Sequence, residues 1–197
     1  MGRSAEAAAE TRKSIVNLAS EEFRQNGFSN VGLADLMSQL GLTHGGFYRH
    51  FANKDQLIAE ACQESFARLE RRWPKNVAPH TMDALTQIVS RYLSAKERDN
   101  PKTSCVLACL SNDFARSNEE IRKVATQGFR TFCALIQKAL PEGDEDEMSQ
   151  EACNVACTLI GTLQVARLVT DRKLSNNLLA SGRDQILKNY ERRYESS

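Results

Sequence analysis

The amino-acid sequence predicts an all-α protein, with three short helices in front and longer ones behind. Two observations carry that expectation. Apolar residues recur at i, i+3 and i+4 almost throughout, which is the period of a helix face. The interruptions carry helix caps and helix stops rather than hairpin turns. Only TSCVLACL at 103–110 has strand character, and its neighbours argue against a strand. There is no internal repeat and no low-complexity tract.

Taken in order, Ile15, Leu18, Ala19 and Phe23 form one face of a first helix that stops at Asn26-Gly27, a C-cap signal. Leu33, Leu36, Met37 and Leu40 give a short second helix ended by Gly41. Thr43 caps a third, very short helix whose inward residues are Phe47 and Phe51, spaced i, i+4. Asn53 followed by Gln56 resembles a capping box and opens a fourth helix burying Leu57, Ile58, Ala61, Cys62, Phe66 and Leu69. This helix ends before Trp73-Pro74. Helices are then expected at about 81–98, 103–116, 117–140, 149–170 and 175–193. Ser117 and Glu120 form a second capping box, and the acidic run 142–147 is a solvated loop.

The 197 residues are 41% hydrophobic and 26% charged, enough apolar material for a sizeable core. No apolar run approaches the ~18 residues that a membrane helix needs, and the N-terminal stretch lacks the apolar segment of a secretory signal. Six cysteines without an export signal predict a cytoplasmic protein with reduced thiols. No nucleophile–base pair, HExxH or nucleotide loop is present, so no enzyme and no cofactor are expected. A formal net charge of +1 gives no global attraction to nucleic acid or membrane.

The chemistry is concentrated in GLTHGGFYRHF at 41–51. The second and third helices, joined across Gly41, have the order of a helix–turn–helix, in which the later helix enters the DNA major groove. With Phe47 and Phe51 inward, about 100° per residue puts Gly45, Gly46 and Arg49 outward and Tyr48 and His50 on the flanks. Tyr48 and His50 suit the phosphates on either wall of a groove, and Lys54 and the start of the fourth helix suit another phosphate. Arg49 suits guanine O6/N7, with Thr43 and His44 adding contacts from the helix start. The bare glycines let backbone approach base edges. On spacing alone, the segment fits a tight connection between helices equally well.

The stretch from about Ala9 to Leu69 resembles the DNA-binding domain of the TetR family of bacterial transcriptional regulators. Ile15, Ala19, Phe23, Gly27, Phe28, Leu36, Gly41, Leu42, Gly46, Phe47, Tyr48, His50, Phe51, Lys54 and Leu57 carry the resemblance. It departs from the family pattern at Gly32, where Ser or Thr usually opens the second helix, and at Gly45 on the reading face. The resemblance implies a DNA-binding domain over 9–69, with its motif at about 32–51, and a helical ligand-binding and dimerisation domain over 70–197. It implies a homodimer on a palindromic duplex operator, usually as a repressor, released by a small-molecule effector.

The resemblance also implies dimerisation through the last two helices. Val155, Ala156, Leu159, Ile160, Leu163 and Ala166 offer one stripe, with Gly161 allowing close approach. Leu178, Leu179, Ile186, Leu187 and Tyr190 offer another. An intramolecular core explains both stripes as well. Candidate effector-pocket groups are Asn112, Gln127, Thr158 and Gln164 among Phe66, Leu107, Phe114 and Phe132. Cys105/Cys109 and Cys153/Cys157 are i, i+4 pairs. They suit a thiol sensor of oxidants or electrophiles, or simple packing; with no histidine nearby, no metal site is expected. A helical interaction protein without DNA function is the remaining alternative.

Overall fold

The structure, a computed structural model, describes residues 5–72, 77–141 and 149–195. The Trp73-Pro74 break and the acidic run 142–147 lie outside these residues. The described residues are all-α: α1 (Ala5–Asn26), α2 (Leu33–Gln39), α3 (His44–Phe47), α4 (Lys54–Arg71), α5 (Met82–Tyr92), α6 (Ala95–Asp99), α7 (Val106–Arg116), α8 (Glu119–Gln137), α9 (Gln150–Leu168) and α10 (Arg172–Glu195), with a 3-10 turn at Pro101–Thr103.

The front of the chain follows its local signals closely. Gly27 and Gly41 take φ of +80° and +67°, the left-handed conformation that ends α1 and α2 and that residues with a Cβ adopt only under strain. The Thr43 hydroxyl accepts from the Gly46 N–H at 3.3 Å. Asn53 Oδ1 accepts from Gln56 N–H at 2.8 Å, and Gln56 Oε1 accepts from Ala52 N–H at 2.8 Å, a reciprocal cap on α4.

Behind Arg72 several boundaries differ from those the periodicity predicts. The helix expected over 81–98 is two helices. Leu93 leaves helical geometry (φ −91°, ψ 49°), and Ser94 Oγ starts α6 by accepting from the Glu97 N–H at 3.2 Å. The capping box at Ser117 and Glu120 does not form. Ser117 Oγ donates to the Asp113 carbonyl, and Asn118 Oδ1 caps α8 through the Ile121 N–H at 3.1 Å. The last helix begins at Arg172 rather than Ser175 because Asp171 Oδ1 accepts from the N–H groups of Lys173 and Leu174. Ser175 is instead buried, donating to the Ala166 carbonyl at 2.5 Å. In each case a neighbouring polar side chain takes the cap.

The chain packs as two compact units, and they do not follow a single cut at residue 69. Residues up to Arg68 form the first together with Pro101–Thr126; Leu69–Asn100 and Gln127 onward form the second. The core of the first holds Ile15, Ala19 and Phe23 of α1, Leu36 and Met37 of α2, Phe47, Phe51, and Leu57 and Ala61 of α4. Three contacts draw 101–126 into it. The Phe28 ring stands edge-on between Phe23 and Phe114, with centroids at 5.5 and 5.4 Å. Asp113 accepts from the Phe28 N–H at 3.0 Å. The Arg24 guanidinium, 5% exposed, donates twice to the Lys102 carbonyl, through Nε at 2.8 Å and through Nη2, and once to Ser65 Oγ on α4.

In the second unit α9 and α10 pack along their length, with α5 against both. Leu85, Leu93, Phe132, Ile136, Leu159 and Leu163 are fully enclosed. Gly182 is the close-approach glycine. A Cβ there would lie 2.8 Å from Thr162 Cγ2 and 3.1 Å from Leu93 Cδ1, whereas one at Gly161 would meet nothing within 4 Å. The buried Arg98 donates to Ser175 Oγ, Asn176 Oδ1 and Asp99 Oδ1, each at 2.8 Å, and Arg172 also reaches Asp99. Hydrogen bonds from Arg98, then from Arg172, hold the Asp99 carboxyl well below the usual carboxylate range. A depressed carboxyl stabilises the fold fully above its unfolded pKa of about 3.9 and loses that contribution as pH falls toward its folded value. The melting-temperature gap between the parent and Asp99→Asn is therefore expected to be constant above about pH 5 and to close toward pH 2.

Candidate nucleic-acid interface

The third helix is one turn long and is held from beneath by aromatic packing. Phe47 is completely enclosed and stacks on Phe51, with centroids 5.3 Å apart and planes 24° apart. The Arg12 guanidinium of α1 covers the Phe51 ring at 4.2 Å and hydrogen-bonds Glu60 of α4 at 2.5 Å. Gln56 Nε2, at 3.1 Å, donates to the same Glu60 oxygen. Arg12 and Glu60, two of the charges that cancel in the formal count, thus belong to the platform under α3.

Above the platform Thr43, His44, Gly45, Tyr48 and Arg49 are exposed, and Gly46, His50 and Lys54 are half-buried. Tyr48 is 60% exposed although its ring packs T-shaped with those of Phe47 and His44, with centroids 5.2 and 5.8 Å away. Arg49 makes no ion pair among the described residues. Partial burial lowers the Lys54 pKa, with Asp55 opposing.

The two glycines, expected side by side on the reading face, are not equivalent. A Cβ at Gly45 would meet nothing, but one at Gly46 would lie 3.4 Å from Thr43 Oγ1 and 3.8 Å from Met37 Cε. Gly46 therefore faces α2 and the cap. The uniform 100° rotation does not hold through so short a helix, because the Arg49 and His50 N–H groups bond three residues back, to Gly46 and Phe47.

The proposed effector-pocket residues are divided between the two units. Phe66, Leu107 and Phe114 are core residues of the first unit and Phe132 of the second. Asn112 and Gln127 are exposed on their helices, so neither is a polar group inside an apolar interior. Thr158 bonds its own helix at the Asn154 carbonyl, and Gln164 is half-buried. Thr158 also lines a groove of about 300 Å³ between α9 and α10, with Glu151, Asn154, Gln185, Asn189 and Arg193.

The apolar stripe expected at a dimer interface is also largely spoken for. Val155, Ala156, Leu159, Leu163, Ala166, Leu179, Ile186 and Tyr190 are buried within the chain. The outward apolar residues are Cys157, Val165 and Leu168 on α9 and Leu174 on α10. Cys105/Cys109 and Cys153/Cys157 belong to different units; Cys105 is buried, Cys109 and Cys153 are half-buried and Cys157 is exposed, all four as free thiols.

A capped one-turn helix seated on an aromatic platform, displaying Tyr48 and Arg49 after a tight glycine turn, gives α2 and α3 the geometry of a helix–turn–helix. The family model for bacterial regulatory proteins of the tetR family matches residues 15–61. Among curated relatives, the HTH-type transcriptional repressor NemR of Escherichia coli is 22% identical over 140 residues, 70% of each chain. The HTH-type transcriptional regulator TtgR of Pseudomonas putida is 39% identical over 56 residues, 28% of this chain and 27% of its own. The crystal structure of reduced E. coli NemR superposes with a TM-score of 0.76 at 19% identity, covering 91% of this chain and 96% of that one. The likeness to the tetR family model lies within the first unit of the chain.

Proposed function

We propose that the protein is a cytoplasmic repressor that binds a palindromic duplex operator as a homodimer and releases it when a small organic effector occupies its second unit. The observation carrying the DNA reading is the outward face of α3. Gly45 opens onto empty space, so duplex can approach the backbone there, while exposed Arg49 and Tyr48 stand beside it. Arg49 reads base edges; Tyr48, His50 and Lys54 hold phosphates; Thr43 and His44 contact the groove from the helix start. The exposed apolar residues Val165, Leu168 and Leu174 supply the surface that a second copy covers.

Fluorescence anisotropy on duplexes covering the protein's own promoter region tests this reading. Arg49→Ala is expected to cost roughly 5- to 150-fold on the preferred duplex and to flatten the preference between duplexes. Tyr48→Phe, which removes one hydrogen bond to a charged phosphate, is expected to weaken all duplexes by roughly tenfold alike. Unchanged sequence preference in Arg49→Ala would remove it from the reading face, and no duplex binding by the parent protein would end the proposal.

A further inference from the structure

Glu60 stands at one end of a run of hydrogen bonds that leads to the turn behind α3. Its Oε1 accepts from Arg12 Nη2 of α1 at 2.5 Å and from Gln56 Nε2 at 3.1 Å. Gln56 Oε1 in turn accepts from the Ala52 N–H at 2.8 Å. Ala52 follows the stacked Phe51 and lies between His50 and Lys54, two of the residues assigned above to phosphates. The side chains of Arg12 and Glu60 are only 33% and 29% exposed, and the Arg12 guanidinium also covers the Phe51 ring. Arg12 is thereby turned onto the protein rather than offered to a phosphate.

The two ends of this run dictate how Gln56 must sit. A carboxylate only accepts and a backbone N–H only donates. Gln56 therefore has to turn Nε2 to Glu60 and Oε1 to Ala52. A residue at position 60 that could not accept would free the Gln56 amide to turn round, and the Ala52 N–H would lose its partner.

We propose, resting on the duplex-binding reading, that Glu60 is a positioning residue for the DNA face. It orients Gln56, which fixes the turn between His50 and Lys54, and Arg12 keeps the carboxylate in place. The consequence runs against simple electrostatics. Neutralising a carboxylate on a DNA-binding domain ordinarily favours the polyanion, yet loss of Glu60 should weaken binding.

The test uses the full-length protein, with amide hydrogen exchange on the free protein and anisotropy on the promoter-region duplexes. Glu60→Ala is expected to speed exchange at Ala52 by roughly tenfold, the effect of one lost hydrogen bond. The Gln56 N–H, which bonds Asn53 Oδ1, should keep its protection. The same variant should weaken all duplexes by roughly tenfold and leave their salt dependence at the parent value, because no phosphate contact is lost. Gln56→Leu, which removes the middle of the run, should reproduce both changes. Arg12→Met should also keep the parent salt dependence, whereas Lys54→Met should lower its slope by about 1. The double variant Arg12→Glu with Glu60→Arg restores opposite charges but sets a donor where Gln56 needs an acceptor. It should recover neither Ala52 protection nor affinity.

Parent-like exchange at Ala52 in Glu60→Ala, recovery of both readouts by the charge-swapped pair, or a shallower salt dependence in Arg12→Met would each overturn the proposal. Exchange is measured without DNA. A parent protein that binds no duplex, while Ala52 still responds to Glu60, would end the DNA reading and leave the Glu60–Gln56–Ala52 linkage supported.

Discussion

Phe47→Ala is expected to destabilise the first unit by about 3–5 kcal/mol, the range for removing a fully enclosed phenyl ring. The ring has no exposed surface and stacks on Phe51, which is itself pinned between Phe47 and the Arg12 guanidinium. Its loss leaves a cavity under a helix that is a single turn long. Such a helix has no cooperative length of its own, and it stands because its inward face is packed. The same substitution should therefore abolish operator binding even at temperatures where most of the protein remains folded. Chemical denaturation followed by circular dichroism gives the first number and anisotropy the second. A loss below about 1 kcal/mol would mean that α3 is held by something other than this ring.

The second large effect is expected at Arg24. Arg24→Ala should cost about 2–4 kcal/mol, combining lost packing with a Lys102 carbonyl stripped of both its donors. Burial lowers the Arg24 pKa, so the charge is held at a cost that its hydrogen bonds offset. That gives a discriminating comparison. Arg24→Met keeps the stem and removes the desolvated charge, and should be less damaging than Arg24→Ala. Arg24→Lys cannot reach Ser65 and the Lys102 carbonyl together and should fall between the parent and Arg24→Ala. If Met and Ala variants melt alike, stem packing contributes little and hydrogen bonding carries the effect.

What was legible in the chain divides by sequence distance. Gly27, Gly41, Thr43 and the Asn53–Gln56 cap act on residues within one turn, and each does in the structure what its chemistry suggests. The exposed placement of Tyr48 and Arg49 was legible for the same reason, since Phe47 and Phe51 fix the inward side of so short a helix. Nothing local marks Arg24, because its acceptor lies 78 residues away, nor Asp113, whose partner Phe28 lies 85 residues away. Gly46 was misplaced because its neighbour Met37 comes from the preceding helix. The later caps were misread where two or three capping residues stand together and tertiary packing selects among them, as at Ser117–Asn118 and Asp171–Ser175. The break at Leu93 has no proline or glycine to announce it.

The union of residues up to Arg68 with Pro101–Thr126 bears on how this chain can be taken apart. A headpiece severed at residue 69 would keep α3 but leave Phe28 facing water on the side of Phe114, and Arg24 without its carbonyl acceptor. Such a fragment is not a portable reader to be grafted onto a foreign sensor. A chimera that carries Pro101–Thr126 along with the headpiece keeps those interactions and is the version expected to remain soluble and bind. The recombination joint for this scaffold therefore runs twice through the chain.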